Sequence, residues 1–467
     1  MTGRSGSAPA AGGLLLVAVG LGVLAVAMAR GVSALPLGWA AGLLAALALA
    51  TLVVIRNDFG IYVVIFSMLL SPEFTLGGAL AESRAVVLRS EDFVLLVIGL
   101  SWLAKTAVNK ELGLVAKTPL NRPILAYVLA NVVATLVGYL LGTVQTAAGL
   151  FYVVKYAEYF VVYYMVVNNV RDRPHAWRMV TAAFITAAIV SLVGAAQVPS
   201  GHRVSAPFEG EIGEPNTFGG YLLLMLALAA GVALESRRLR QRARLLGLLG
   251  LMTVPFLFTL SRASYLGAVP AVLTLAALST RRRLVLGLLA LAVVASPLVI
   301  AALPPAVTSR VLYTFQPERG QQTVRVGGVA FDPSTSARLL SFGQALEGWR
   351  ERPLLGWGVT GFKFMDAQYA RVLAETGVIG LVTFLWLVWS VLRAGLAARR
   401  TLLVPEDRGL AVGFVAGTVG LLVHAIGSNT FVIVRIMEPF WLFAGIVTML
   451  PTLQAAPTSP ARDTVRS

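Results

Sequence analysis

Apolar runs close to the length that crosses a hydrocarbon core recur along this chain from Gly12 almost to Leu450, and nothing else narrows its possible folds as much. A segment crossing lipid has no water to satisfy its amide and carbonyl groups, so it must be a helix or a strand of a closed barrel. The runs here are continuous and lack the polar–apolar alternation of barrel strands, so they predict helices. Composition agrees, since 57% of the 467 residues are hydrophobic and 13% are charged, with a mean hydropathy of +0.79. A soluble domain carries roughly a quarter charged residues. The expected fold class is therefore an all-α polytopic membrane protein.

The runs centre near Val19, Ala45, Ile65, Val97, Val128, Val161, Ile185, Met225, Met252, Val272, Ala290, Phe384, Val415 and Trp441. They predict about 12–14 transmembrane helices, the one near Ile65 being the weakest. The first follows a short stretch bearing Arg4, like a signal peptide, but further spans follow and it reads as a retained anchor. Two spans meet at Ser261 and Arg262 with almost no loop, which predicts a tight helical hairpin.

Arginine-rich loops at 171–178, 237–244, 281–283 and 393–400, with Lys105, Lys110 and Lys117, fall on one side of such a bundle. The positive-inside rule makes that side cytoplasmic and puts both termini there. Ser71–Asp92, Pro199–Pro215 and a long stretch of 303–365 then face out. The chain divides accordingly into a multi-span region 1–302, the outer loop 303–365, C-terminal helices 366–450 and a cytoplasmic tail 451–467. A loop as long as 303–365 is expected to be functional, because most connections run only a few residues.

The formal charge of +16 does not point to nucleic acid, because the basic clusters sit in short inter-span loops without interleaved aromatics. The absence of cysteine excludes disulfides, thiolate nucleophiles and thiolate metal sites.

The informative charges are arginines on the outer side, against the orientation rule: Arg203 in Gly-His-Arg-Val-Ser, Arg262 in Leu-Ser-Arg-Ala-Ser-Tyr, and Arg338 in Ser-Thr-Ser-Ala-Arg-Leu. Guanidinium presents a fork of donors that matches phosphate oxygens, so several on one face can hold a pyrophosphate. The plainer reading is snorkelling, or pairing with Glu209, Glu211 or Glu214. Within the spans, Lys155 and Glu158, and likewise Arg435 and Glu438, are spaced to neutralise each other on one helix face.

Glu214–Tyr221 (Glu-Pro-Asn-Thr-Phe-Gly-Gly-Tyr), Thr259–Gly267 (Thr-Leu-Ser-Arg-Ala-Ser-Tyr-Leu-Gly), Arg352–Gly358 (Arg-Pro-Leu-Leu-Gly-Trp-Gly) and Asp366–Leu381 resemble, in order and spacing, the O-antigen ligase and polymerase family. The resemblance covers a motif-bearing core of about 201–381. It implies a membrane fold like that of the C-type glycosyltransferases and glycan transfer at the outer face of a cell inner membrane. The implied donor is an undecaprenyl-pyrophosphate-linked glycan, with no nucleotide sugar, cofactor or metal. Family arginines that hold the pyrophosphate map onto Arg203 and Arg262, with Arg338 a third. Chain-length regulators and export proteins are the implied partners.

Ligases of the family carry His-Asn three residues before a tyrosine-like position, where this chain has Asp366 and Ala367. Asp366 can be a general base towards an acceptor hydroxyl or an N-cap of the following helix. Loss of the histidine shifts the implied activity from ligase to polymerase, with ligase as the alternative. Gln368 and Tyr369 are candidates for sugar hydroxyls, although an interfacial tyrosine is also an ordinary belt residue. His202, beside Arg203, is an alternative base or a solvated loop residue. Asn216 follows Pro215 as in the family motif and is expected to cap the next helix, near the substrate. His424 lies near an outer helix end. A transporter of lipid-linked sugars is the rival of another class, but no inverted repeat is visible and the cations sit at helix ends.

Overall fold

The structure is a computed structural model that describes residues 48, 51–52, 57–71, 73–76, 86–89, 92, 94–99, 116–144, 148–209, 213–295, 301, 304–316 and 323–455. The spans expected near Val19 and Ala45, both termini, Lys105, Lys110 and Glu211 lie outside the described residues.

Helix α1 covers Asn57–Leu70 and is followed by a ribbon of β1 (Glu73–Leu76) and β2 (Val86–Arg89). Then come α2 (Asn121–Leu140), α3 (Ala148–Asn169), α4 (Arg173–Gln197), α5 (Pro215–Glu235), α6 (Leu239–Phe258), α7 (Arg262–Leu278) and α8 (Arg282–Val294). The 303–365 segment contains α9 (Pro305–Leu312), a second ribbon of β3 (Arg325–Val326) with β4 (Val329–Ala330), and α10 (Pro333–Glu351). The chain closes with α11 (Gln368–Thr401), α12 (Pro405–His424) and α13 (Val434–Ala455).

Among the described residues six helices, α2 to α5, α11 and α13, are long and apolar enough to cross a membrane. The protein is an all-α polytopic membrane protein, its only described strands being the two short ribbons. Helices α6 and α12 reach 20 residues but open with charged turns, Arg-Gln-Arg and Glu-Asp-Arg, at one end of the bundle. Helix α8, at 13 residues, rises about 20 Å at 1.5 Å per residue and is too short to span alone.

Two ends separate cleanly. At the basic end, buried Asp407 accepts from Arg173 Nε at 2.7 Å, Trp177 Nε1 at 2.6 Å and Gln454 Nε2 at 2.7 Å, joining α4, α12 and α13. Beside it Glu235 accepts from Ser279 Oγ at 2.9 Å, Thr280 Oγ1 at 2.6 Å and Arg408 Nη2 at 3.1 Å. At the opposite end Arg435 is fully buried, donating to the carbonyls of Pro207 at 2.9 Å and Ser71 at 3.0 Å and meeting Glu209 at 3.4 Å. The carboxylate that Arg435 meets here comes from another element, not from the within-helix spacing expected for it. Lys155 reaches Asp92 at 2.8 Å, a partner 63 residues away that helix spacing did not foretell.

Helix α5 is central, with 83% of its most apolar window buried. Lipid cannot drive helices together as water does, so their backbones approach through small side chains. A Cβ added to Gly231 would lie 2.4 Å from the Gly409 carbonyl oxygen, and one on Gly413 would lie 2.5 Å from that of Ala227. Gly267 of α7 and Gly420 of α12 meet in the same way, at 2.6 Å. This tripod of α5, α7 and α12 fixes where the outer ends of those helices stand.

Helix α11 is the span expected after Asp366, but it is broken near its start. Gly377 has φ 62° and ψ −162°, which breaks the helix, and a Cβ there would lie 2.4 Å from the Leu354 carbonyl oxygen. The Arg-Pro-Leu-Leu-Gly-Trp-Gly segment docks into the break. Val378 and Ile379 donate to the carbonyls of Pro353 (2.9 Å) and Leu354 (3.2 Å), while Trp357 and Gly358 donate to those of Ala374 (3.0 Å) and Glu375 (2.8 Å). Two motifs separated in sequence are thereby one hydrogen-bonded unit, and the amides freed by the break are satisfied.

Replacing Gly413 by leucine should separate α5 from α12. Overpacking of this kind costs about 1–3 kcal/mol, so Gly413→Leu should lower the thermal midpoint in detergent, whereas Gly250→Leu, at a position with nothing within 4 Å, should leave it unchanged.

Candidate functional site

The abrupt turn expected at Ser261 and Arg262 is present, but the two helices do not pack along their length as a tight hairpin: they touch at the turn, through Phe256 and Tyr265, and beyond it a groove lined by Leu246, Leu249, Val272 and Leu275 separates them. Helix α6 stops at Phe258, Leu260 takes φ 49°, and Ser261 caps α7 by accepting from the Ser264 amide. Arg262 is therefore the first residue of α7 and rises from the bundle's outer end. It grips Asp332 with both guanidinium arms, Nη1 to Oδ2 at 2.7 Å and Nη2 to Oδ1 at 3.0 Å, and Nη1 also donates to Thr314 Oγ1 at 2.9 Å. Asp332 is buried, and it also N-caps α10 by accepting from the Ser334 amide at 3.1 Å and Thr335 Oγ1 at 2.6 Å. Burial pushes the Asp332 carboxyl up, but the Arg262 and Thr335 hydrogen bonds outweigh it and hold it below its ordinary value. Arg262 thus pins the outer segment to the bundle, and its charge is already neutralised.

Arg203 lies close by in the α4–α5 connection. It donates from Nε to the Thr259 carbonyl at 2.9 Å and from Nη2 to Asn216 Oδ1 at 3.2 Å. Neither partner is charged. The expected pairing of outer arginines with Glu209 or Glu214 does not account for it, since Glu209 meets Arg435 and Glu214 accepts from Thr217 at 2.7 Å. The Arg203 guanidinium is pushed down to about 10 by burial first and then by the charges of Arg310 and Arg338.

Arg338, one turn into α10, donates to Ser334 Oγ at 3.0 Å and meets Asp366 Oδ2 at 3.3 Å. Its stem passes 3.7 Å from where a Gly427 side chain would begin, which brings in the α12–α13 connection. The acid is 43% exposed, so it stays open to a ligand. Asp366 is not the N-cap of α11, because the helix begins at Gln368 and Ala367 takes the cap position without a side-chain bond.

A fourth arginine, missed by sequence reasoning, completes the group. Arg310 stands on α9 with its guanidinium 5.6 Å from the centre of the Tyr313 ring, and its Nε is buried without a partner among the described residues. Burial, and then the charge of Arg262, push it below its ordinary value. It borders a cleft of about 390 Å³ shared with Leu260, Ser309, Tyr313 and Gln316. The signal was available: like Arg203, it is an arginine on the side the charge rule leaves bare.

Other expected residues are placed differently. Asn216 sits at the second position of α5, after the cap Glu214 and Pro215, and serves Arg203 instead of capping. Gln368 is fully buried with Oε1 accepting from the Phe431 amide at 2.9 Å, and Tyr369 donates to the Leu422 carbonyl at 2.7 Å. Both tie the start of α11 to its neighbours, and neither side chain is presented as a sugar-binding surface. His202 is exposed beside Arg203, while His424 is buried with Nδ1 at 2.7 Å from Thr430 Oγ1.

The sum is four guanidinium groups against two carboxylates, with Arg203 and Arg310 lacking a carboxylate partner among the described residues. Like charges crowded in a partly desolvated place are costly unless an anion joins them. Four guanidinium groups gathered at one end of a polytopic helical bundle, with a carboxylate at their rim, form a site whose charge an anion would complete. Residues 247–385 match the family described as O-Antigen ligase, a stretch that runs from within α6 to α11 and contains Arg262, Arg310, Arg338 and Asp366. The chain carries a domain of that family over those residues. No curated protein matches it.

Removing the pin should loosen the whole outer segment. Asp332→Ala leaves Arg262 unpaired at a mostly buried position, a loss of about 3 kcal/mol, and should expose 304–351 to limited proteolysis while the spans stay protected. Because the Asp332 carboxyl lies below its unfolded value, its contribution is complete at neutral pH and is lost as pH falls through the depressed value. Protease sensitivity of this segment should therefore rise on acidification below the usual carboxylate range of about 3.9.

Proposed function

We propose that this protein polymerises oligosaccharide repeat units carried on undecaprenyl pyrophosphate, working at the periplasmic face of the inner membrane. The observation that carries the reading is the uncompensated charge of Arg203 and Arg310 beside the Arg338–Asp366 pair, all at the end of the bundle remote from the basic loops. The donor's diphosphate lies against Arg203 and Arg310, with Arg262 and Arg338 in support. The oxygen of an acceptor sugar hydroxyl bonds to the donor's anomeric carbon as the bond from that carbon to the diphosphate oxygen breaks. The electron pair leaves with the diphosphate, whose growing negative charge the guanidinium groups stabilise. The hydroxyl proton passes to Asp366 and on to solvent. A carboxylate in place of the ligase-type histidine favours a polymerase over transfer to a lipid A core.

Reconstitution with a defined undecaprenyl-pyrophosphate repeat unit, with and without chelator, tests this. Wild type should give a ladder of products in both conditions. Arg203→Gln and Arg310→Gln should each reduce chain growth by about 10²–10³-fold, and Asp366→Asn by about 10²–10⁴-fold, at unchanged protein abundance. Transfer to another acceptor without lengthening would make the protein a ligase, and movement of labelled lipid across vesicles without lengthening would make it a transporter; either outcome overturns the proposal.

Orientation has its own check, since the chain lacks cysteine. In intact cells an impermeant maleimide should label Glu347→Cys, and should label Arg240→Cys only after permeabilisation.

A further inference from the structure

The opposite end of the bundle carries a second concave feature that glycan transfer does not use. Between α4 and α6 lies a groove of about 1020 Å³ floored by Val232 of α5. Its deep walls are apolar, with Phe184, Ile185 and Ala188 on one side and Leu245 and Leu248 on the other. Its mouth is ringed by Arg238, Arg240 and Arg244.

These three arginines are exposed, and no side-chain hydrogen bond or ion pair engages them among the described residues. The remaining mouth residues are different. Arg173 is held by Asp407 at 2.7 Å, and Glu406 supplies a single negative charge. Three uncommitted positive charges therefore stand where an apolar slot opens towards the headgroup level. Trp177, at the same level, has its indole N–H committed to Asp407, so its ring forms a fixed wall.

An apolar slot capped by uncompensated cations is the complement of a molecule with acyl chains and an anionic head. Free phosphate would satisfy only the mouth, and a zwitterionic phospholipid would bring an ammonium group among the arginines. Basic pockets between transmembrane helices match anionic lipid headgroups on these grounds. We propose that the groove between α4 and α6 binds an anionic glycerophospholipid of the surrounding leaflet, with the phosphodiester on Arg238, Arg240 and Arg244 and an acyl chain along Phe184, Ala188 and Leu248.

The test is native mass spectrometry of the delipidated full chain, titrated with phosphatidylglycerol, diphosphatidylglycerol, phosphatidylethanolamine and sn-glycerol 3-phosphate. Both anionic lipids should remain bound at concentrations at least tenfold below those needed for phosphatidylethanolamine. The variant R238Q/R240Q/R244Q should weaken them by about a hundredfold, from comparable contributions of each arginine near an anionic headgroup, and should leave phosphatidylethanolamine unchanged. R238K/R240K/R244K keeps the charge and should restore most of the binding. Ala188→Trp, which fills the slot and keeps the mouth, should weaken the lipids as well. Should the triple glutamine variant fail to fold, R240Q alone must shift binding in the same direction. Equal retention of anionic and zwitterionic lipid, unchanged binding in the glutamine variants, or competition by glycerol phosphate as effective as by lipid would each overturn the proposal.

Discussion

The bidentate pair between Arg262 and Asp332 is the joint on which the outer half of this protein depends. One partner opens α7, a helix held against α12 by close glycine packing, and the other caps α10 in the 303–365 segment. With Asp332 seated, α10 is oriented so that Arg338 meets Asp366. Thr314, just after α9, joins the same guanidinium, which keeps Arg310 at the edge of the cluster. Desolvated charge of this kind is worth little as a source of stability but fixes geometry strongly, because either partner left alone is costly.

Much of the fold was legible in the sequence because lipid imposes one rule on every span. Run length marked the helices, and the unbroken join at Ser261 and Arg262 marked the sharp turn between α6 and α7, though not how far they diverge beyond it. What was not legible depends on contacts between distant segments. Gly377 looks like any small residue in an apolar run, and only the approach of Leu354 requires its positive φ. Lys155 has a plausible neighbour at helix spacing, yet it meets Asp92 from another part of the chain. Gln368 and Tyr369 have the chemistry of sugar ligands, but the Phe431 amide takes Gln368 Oε1 and the Leu422 carbonyl takes the Tyr369 hydroxyl, while burial encloses the rest of Gln368. Arg310 went unread because α9 is short and lies in a stretch without periodicity, although its charge alone set it beside Arg203.

The two ends of the bundle use arginine in contrasting ways. At the basic end, Arg173 and Arg408 are tied to Asp407 and Glu235, and the remaining cations fringe the surface. At the opposite end Arg203, Arg262, Arg310 and Arg338 converge on one site, and of these four Arg203 and Arg310 find no carboxylate among the described residues. Orientation statistics explain the first distribution and leave the second without a cause. The proposed function supplies one, since a preorganised cationic site that held a diphosphate would stabilise it further as its bond to sugar broke.

The most direct measurement is an experimental density map of the protein bound to an undecaprenyl diphosphate. The expected map has the two phosphates within hydrogen-bonding reach of Arg203 and Arg310, with the Arg262–Asp332 pair intact beneath them and Asp366 facing the open side. Phosphate density at the basic end, or elsewhere in the bundle with Arg203 and Arg310 untouched, would contradict it.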